Sequence, residues 1–191
     1  GYLVGDSGWS NAVSYSMPGV GGLSGTVIYA FGEDGGNVTD STVGATDDKV
    51  GANLFYRAGA LAATVAAHKV DGADGPDHTA FQLGVSYDLG VAKLFGQYQM
   101  VENDGAAGDD EYDTFQLGAS IPVTAAGSVL LSYVYTDASR DLAEDFERDT
   151  IALGYDHKLS EQFDVYAAYV MDDVDTVDDG TTFGVGGRFK F

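Results

Sequence analysis

The sequence predicts an all-β chain whose strands cross a membrane as an antiparallel up-and-down β-barrel. Apolar and polar side chains alternate with period two along nearly all of the 191 residues, and helical periodicity is sustained nowhere. Its 27 glycines are scattered through the alternating segments, where they would destabilise a helix. Short and long connections alternate between the segments, as expected of a barrel whose two ends face different environments.

Composition excludes several other classes of protein. The chain has no cysteine, which excludes a disulfide-stapled scaffold and a thiolate metal site. Its formal charge of -21 would repel a phosphate backbone, so no nucleic-acid partner is expected. With 45% hydrophobic and 12% aromatic residues it is unlike a disordered acidic tail. No apolar run approaches the 18 or more residues of a membrane-spanning helix.

Eleven segments alternate in this way, taken from the N-terminus. Residues 23–31 show the pattern well, because the odd positions carry Leu, Gly, Val, Tyr and Phe and the even positions are mostly small or polar. The stretches 81–87 and 115–121 repeat it. The predicted strands are 10–22, 23–32, 48–58, 60–70, 79–89, 91–101, 112–122, 127–136, 149–157, 162–171 and 181–191.

The connections between these strands alternate in length. Tight turns with glycine or proline, such as 18–22 and 58–60, separate longer polar stretches. The predicted long connections are 33–47, 71–78, 102–111, 137–148 and 172–180, and they hold most of the acidic residues.

Side-chain parity divides the predicted sheet into two faces. The apolar face collects aromatic residues, namely Tyr15, Tyr29, Phe31, Tyr56, Phe81, Tyr87, Tyr98, Phe115, Tyr133, Tyr135, Tyr155, Phe163, Tyr169, Phe183, Phe189 and Phe191. By this parity no strand-interior Lys or Arg lies on the apolar face, as expected where each would cost about 2–4 kcal/mol in lipid. The alternative is a soluble β-sandwich, although its strands are usually shorter than the ten or so residues found here.

The polar face is the predicted lining of a pore. Its uncharged residues include Ser14, Ser16, Thr26, Thr64, Ser86, Gln99, Thr114, Ser120, Ser132, Thr150 and Thr182. The candidate pore-lining residues are Lys49, Asn53, Arg57, His68, Gln82, Lys93, Gln97, Gln116, Arg188 and Lys190. Basic side chains in a water-filled lumen set a field that orients solutes and tunes selectivity.

An odd number of strands cannot close alone into an antiparallel bacterial barrel. An open edge in lipid would leave backbone groups without hydrogen bonds. The parity therefore predicts that an odd number of N-terminal strands precedes this sequence, or that a partner chain supplies them.

Both ends of the sequence resemble one protein family. Residues 9–18, with 22–25 and 29–33, resemble the N-S-V-x-Y-x-S-P, G-x-S and Y-x-x-G-E stretch of the general Gram-negative porins, and residues 184–191 look like their last strand. The resemblance implies a single barrel domain over 1–191, lacking the first five of sixteen strands and the constriction loop. It implies a homotrimeric outer-membrane channel for passive diffusion of ions and small hydrophilic solutes. It further implies that Phe183, Phe189 and Phe191 form the signal read by the barrel-assembly machinery.

The acidic connections suggest further partners. Rims of this charge raise the local concentration of cations, which is the basis for expecting a weak cation preference. Membrane lipid and lipopolysaccharide are the expected surroundings, the latter bridged by divalent cations. No firm metal site or cofactor is predicted, and the Ca²⁺ candidates are Asp109, Asp110 and Glu111, or Asp172, Asp173 and Asp175.

No catalytic residue is predicted. His68, His78 and His157 are far apart in the chain and lack metalloprotease spacing, and no nucleophile elbow is present. The alternatives left open are an outer-membrane barrel enzyme and an adhesin-like β protein.

Overall fold

The computed structural model of the protein describes residues 9–32, 48–72, 76–105 and 108–191. Within these ranges the regular structure is all β, and no helix is long and apolar enough to cross a membrane. The strands are β1 Ala12–Val20, β2 Leu23–Ala30, β3 Lys49–Ala58, β4 Leu61–Val70, β5 Asp77–Asp88, β6 Lys93–Gly105, β7 Gly108–Pro122, β8 Gly127–Arg140, β9 Phe146–Lys158, β10 Phe163–Val174 and β11 Val177–Phe189.

All eleven strands form one sheet in sequence order, and each pairs antiparallel with the next. The predicted strand number and up-and-down topology are therefore confirmed. Across the described residues β1 and β11 are the two edges, so the sheet is not closed by this chain. The predicted additional N-terminal strands remain a prediction.

The strands after β5 are longer than predicted. The stretches 102–111 and 172–180 were expected to be long connections, but the ladder of hydrogen bonds runs through most of both. Only Asp175 and Thr176 separate β10 from β11, and only 141–145 separate β8 from β9. The strict alternation of short and long connections is thus wrong in this half. The predicted connection 33–47 and residues 73–75 lie outside the described residues.

The acidic composition of these stretches explains why they are predicted as connections although they lie in strands. Acidic residues are rare in strands that cross lipid, so a run of them indicates a loop. A β-ladder needs only backbone groups, and it continues past the membrane into water. The 15 residues of β7 span about 50 Å, well beyond the hydrocarbon thickness even when tilted.

Glycine fixes the first tight turn. Gly22 has a φ of +85°, which side-chain-bearing residues rarely adopt. A Cβ at this position would lie 2.0 Å from the carbonyl oxygen of Arg57. The Gly22 carbonyl in turn accepts a hydrogen bond from the Arg57 amide, which ties the turn to the end of β3.

The register confirms the predicted division into two faces. Directly paired residues share a face, and Leu117 pairs with Tyr133 while Gln116 pairs with Val134. On the apolar face nothing in the described chain covers the large side chains, and Leu117 and Leu153 are each 49% exposed. The eight buried side chains all lie on the polar face: Ala30, Ala80, Val101, Thr114, Thr136, Ala138, Thr150 and Asp164.

One basic residue departs from the predicted parity. Lys69 pairs with Val50 and Thr79, so it lies on the apolar face. It is the penultimate residue of β4, and its Nζ contacts Asp71 at 2.7 Å and Asp77 at 3.4 Å. The position at the strand end and the two carboxylates account for a cation on this face.

Candidate functional site

The polar face is where the sequence-predicted site residues come together. All ten candidate pore-lining residues lie on it by register or, for Lys190, by contact with Asp164. Eight of the nine Lys and Arg residues share this face, because Arg140, Arg148 and Lys158 do so as well. The face therefore concentrates positive charge in a chain that is strongly negative overall.

At the end of the sheet where the turn 159–162 joins β9 to β10, which we call the short-turn end, one arginine joins three strands. Arg188 on β11 contacts Asp156 on β9 at 2.9 Å and Asp164 on β10 at 2.5 Å. Lys190 adds a second cation 3.4 Å from Asp164, whose side chain is 3% exposed. The carboxylates hold the last strand against its neighbours and neutralise part of the basic charge.

Near the other end, Arg148 on β9 makes a bidentate pair with Asp172 on β10. Its Nε and Nη2 donate hydrogen bonds of 2.8 and 2.6 Å to the two carboxylate oxygens. Thr150 donates a third bond of 2.6 Å to the same carboxylate. Sequence reasoning missed Arg148 because it fell in a predicted connection. Counting parity back from Thr150 would have placed it on the polar face.

Arg140 was missed for the same reason. Its guanidinium lies 4.9 Å from the centre of the Phe146 ring and donates a hydrogen bond to the Glu144 carbonyl. The backbone amide of Arg140 donates to Asp145. These contacts fold the connection between β8 and β9 back onto the ends of its own strands.

Between the charged zones, the polar face is uncharged and hydrogen-bonded across strands. The hydroxyls of Thr114 and Thr136 are 3.1 Å apart and buried. The Gln116 amide donates to the Ser132 hydroxyl at 3.0 Å. Such groups can exchange hydrogen bonds with a hydrated solute without binding it tightly.

Two histidines lie side by side on the polar face of β4 and β5. The rings of His68 and His78 are 5.2 Å apart, and Trp9 packs edge-on against His68 at 5.8 Å. His78 Nδ1 is 2.6 Å from the Asn103 side-chain oxygen. His157 lies on the opposite face of the sheet beside Tyr155, so the three histidines do not converge.

Most of the acidic residues that lie in strands do not face the same way as the bases. Ten acids in the strands lie on the apolar face near the end of the sheet opposite the short-turn end, where 141–145 joins β8 to β9. They are Asp77, Glu102, Asp104, Asp109, Glu111, Asp113, Asp137, Glu147, Asp149 and Asp173. The aromatic side chains of the apolar face form an aromatic band next to these acids. Its tyrosines donate hydrogen bonds to them, including Tyr98 to Asp113 and Tyr133 to Asp149. The acids therefore form a belt outside the sheet, above the aromatic residues, and do not surround a lumen.

Asp48 extends this belt outside the strands. It accepts hydrogen bonds from the Tyr29 hydroxyl and from the Gly32 amide. The tyrosine hydrogen bond, followed by the amide, lowers the pKa of the Asp48 carboxyl.

The calcium candidates do not converge. Asp109 and Glu111 lie on the apolar face and Asp110 on the polar face of the same strand. Asp172 is occupied by Arg148, whereas Asp173 lies on the other face. No group of three acidic or histidine side chains in the described ranges is placed to hold a metal ion. Calcium binding stays a prediction that this geometry does not support.

The three phenylalanines of the predicted assembly signal lie at the edge of the sheet. Phe183 and Phe189 are on the apolar face of β11, and Phe191 follows the strand. All three are more than half exposed. This placement leaves them accessible to another protein, while their role as a signal stays a prediction.

Comparison with known proteins identifies the sheet. Residues 1–177 match the sequence profile of the Gram-negative porins. Over 164 residues the chain is 34% identical to outer membrane porin protein 32 of Delftia acidovorans, which covers 82% of this chain and 44% of that protein.

Solved structures share the fold. The anion-selective porin from Comamonas acidovorans superposes with a TM-score of 0.81 at 28% identity, over 96% of this chain and 60% of that one. OmpT of Vibrio cholerae in its trimer form superposes with a TM-score of 0.76 at 17% identity, over 93% of this chain and 64% of that one. The chain spans less than half the length of the curated relative and about 60% of the first of these structures. It belongs to the Gram-negative porin family of the outer membrane, and its eleven strands are part of the wall of a transmembrane up-and-down β-barrel.

Proposed function

We propose that the polar face of the sheet lines a water-filled channel through which ions and small hydrophilic solutes diffuse passively across the outer membrane. The observation that carries the proposal is the constancy of the two faces. Apart from the acidic belt and Lys69 at the strand ends, one side of the eleven strands carries apolar side chains that no described residue covers, while the other side holds eight of the nine basic residues. A barrel of 16 or so strands leaves an aqueous lumen.

No chemical step is needed for this function. The polar wall lowers the cost of moving a hydrated solute through the membrane, and the concentration gradient supplies the driving force. Among the described residues no serine, histidine and acid are arranged as a nucleophile and its base. The family is one of channels, and we infer that this protein is not an enzyme or an adhesin.

The test is conductance of the native full-length chain in planar lipid bilayers. We expect stepwise, ohmic increases in current that scale with salt concentration. A protein that inserts into the bilayer and leaves its conductance unchanged would contradict the proposal. Hydrolysis of lipid or peptide, abolished by a single serine or histidine substitution, would favour the enzyme alternative.

We further propose that the channel prefers anions. The weak cation preference expected from acidic rims assumed that the acids surround the lumen, but ten of them face outward. The structurally similar Comamonas porin is anion-selective. Reversal potentials in a KCl gradient decide between the two, and a cation-selective sign would restore the original expectation.

We also propose the partners that membership of the family implies. Homotrimer formation is supported by the shared fold of OmpT in its trimer form. The outward acidic belt suits contact with lipopolysaccharide through divalent cations. Phe191 and its neighbours suit recognition by the assembly machinery.

Each of these partners has its own test. Chemical crosslinking tests the homotrimer, and co-purification of lipopolysaccharide with and without EDTA tests the bridge through divalent cations. Removal of Phe191, followed by measurement of the outer-membrane yield, tests the assembly signal.

A further inference from the structure

A hollow of about 360 Å³ interrupts the polar face of β3 to β7, toward the strand ends that are joined by the turns at 59–60 and 89–92. Phe55 on β3 stands at one side and Phe95 on β6 at the other. We call it the Phe55–Phe95 trough, and its lining on the polar face is Phe55, Ala62, Thr64, Gly84, Ser86, Phe95, Gln97 and Gln116. Its size is within the range of small-molecule sites.

The floor of the trough is kept low by small residues. Gly84 lies at its centre, between Thr64 on β4 and Gln97 on β6. A Cβ at Gly84 would lie 3.0 Å from the Thr64 methyl group and would raise the floor of the hollow. Because β3 and β6 are three strand spacings apart, about 14 Å separates the two phenylalanine strands.

The two phenylalanines are unusual in their position. Fourteen of the nineteen Phe and Tyr side chains in the strands face the apolar side, whereas Phe55 and Phe95 are among the five that face the polar one. Phe95 is 42% exposed. Exposing a ring on a water-lined wall loses hydrophobic stabilisation, and a solute with an apolar surface that covered the ring would recover it.

A cationic side chain lies over each of the two phenylalanine rings. The Arg57 guanidinium lies 5.5 Å from the centre of the Phe55 ring, and Lys93 Nζ lies 5.1 Å from that of Phe95. Within the described ranges neither cation has a carboxylate oxygen within 4.0 Å, in contrast to Arg148 and Arg188. Asp88 lies opposite Lys93 in the register of β5 and β6 and offsets part of its charge, whereas the register places Ala62, and no acid, opposite Arg57. The trough therefore has a net positive charge, most of it at the Arg57 side.

Hydrogen-bonding groups complete the site. Gln97 and Ser86 border the hollow, and so does Gln116, whose side-chain amide donates to Ser132. Aromatic rings, two cations and side-chain amides around one hollow match a ligand with a flat apolar body and one negative group. An inorganic anion has no apolar surface to pack against the phenylalanine rings, and an organic cation would be repelled by Arg57 and Lys93.

We propose that the Phe55–Phe95 trough is a binding site for small aromatic monocarboxylates of the benzoate type. The ring of the solute packs against Phe55 or Phe95, and its carboxylate pairs with Arg57 or Lys93. The inference rests on the proposed channel in one respect, because the solute reaches the trough through the lumen. The site would slow and select such anions as they pass.

The test uses the native full-length protein in planar bilayers in KCl, with benzoate, acetate or benzyl alcohol added to one side. We expect benzoate to reduce the chloride current saturably, at a half-saturating concentration about tenfold below that of acetate. Benzyl alcohol, which has the ring without the charge, should have little effect. Equal half-saturation for benzoate and acetate would overturn the proposal.

Substitutions locate the effect in the trough. Phe95→Leu and Lys93→Gln should each raise the half-saturating benzoate concentration about 3- to 10-fold while acetate changes little for Phe95→Leu. Lys158→Gln is the matched control, since Lys158 is a lysine of the same face that lies outside the trough. If it shifts the benzoate response as much as Lys93→Gln, only general charge is acting and the proposal is wrong.

A direct binding measurement separates this inference from the channel itself. Saturation-transfer NMR of benzoate with the protein in detergent micelles needs no conductance. Binding that Phe95→Leu weakens supports the trough even if the protein does not conduct, which would overturn only the proposed channel. Conductance without benzoate binding would overturn the trough and leave the channel standing.

Discussion

The two faces of the sheet are built from the same strands but obey different rules. On the apolar face, large side chains such as Leu153 and Tyr133 stand exposed with no protein over them. On the polar face, several charged groups are paired across strands, and the buried residues other than Val101 are small or polar. The difference supports the proposal that the uncovered face contacts lipid, since water would penalise it and no second layer of the described residues packs on it.

The strongest way to break this comparison is to place the same charge on both faces. Leu153 and Ala152 are neighbours on β9 and point to opposite sides. We expect Leu153→Arg to lower the free energy of unfolding in lipid vesicles by about 2–4 kcal/mol, since the charge enters the hydrocarbon region. Ala152→Arg should be tolerated, and equal destabilisation by the two variants would contradict the face assignment. Urea-induced unfolding followed by tryptophan fluorescence measures both.

The next largest effect concerns the ion pair that joins β9 to β10. Asp172→Ala removes the acceptor of two arginine hydrogen bonds and one threonine hydrogen bond. The loss should reduce the free energy of unfolding by about 1.5–3 kcal/mol. Glu161→Ala, an exposed acid in the turn between β9 and β10, is the control and should change it by less than about 0.5 kcal/mol.

Most of the fold was predictable from the alternation of side chains. Period two fixed the number of strands and the face of nearly every residue, because the pleat leaves no freedom in that choice. Strand ends after β5 were not predictable, since the acids of 102–111 resemble a loop and sit on a continuing ladder. Lys69 shows the same limit, because parity alone does not reveal that Asp71 and Asp77 lie beside it.

The site was predictable in part. Parity placed Arg57, Lys93 and the glutamines on one face, but the pairing of Arg148 with Asp172 depends on the register of β9 against β10. The trough depends on five strands at once. Phe55 and Phe95 are 40 residues apart, and only the paired sheet shows that a glycine and an alanine lie between them.

A smaller effect sharpens the role of the aromatic band. Tyr98 donates a hydrogen bond to Asp113, whereas Tyr169 on the same face pairs with Leu153 and Phe183 and so has no acid as a direct partner in the register. Tyr98→Phe should lower the free energy of unfolding by less than about 1 kcal/mol, and Tyr169→Phe by still less. A larger loss at Tyr169 would show that the acidic belt does not anchor the tyrosines.

The smallest effect is a pH dependence at Asp48. Its pKa is depressed in the folded state by the Tyr29 hydroxyl, so it contributes stability above its unfolded pKa of about 4. That contribution is lost as the pH falls through the lower, folded value. Asp48→Asn should remove this part of the acid sensitivity, which urea unfolding at pH 6 and pH 3 measures. An unchanged difference between the two pH values would exclude the contribution.

The most direct test of the central claim is a cysteine scan of β8, which is possible because the chain has no cysteine of its own. Single cysteines at positions 129–136 in lipid vesicles are exposed to a charged, water-soluble thiol reagent and, once labelled with a fluorophore, to a lipid-phase quencher. We predict that the even positions react with the reagent, least at the buried Thr136, and that the odd positions are quenched from the lipid. Leu130 and Val134 are decisive because they are apolar residues on the polar face. Water access that does not alternate, or quenching of Leu130 and Val134 from the lipid, would contradict the account.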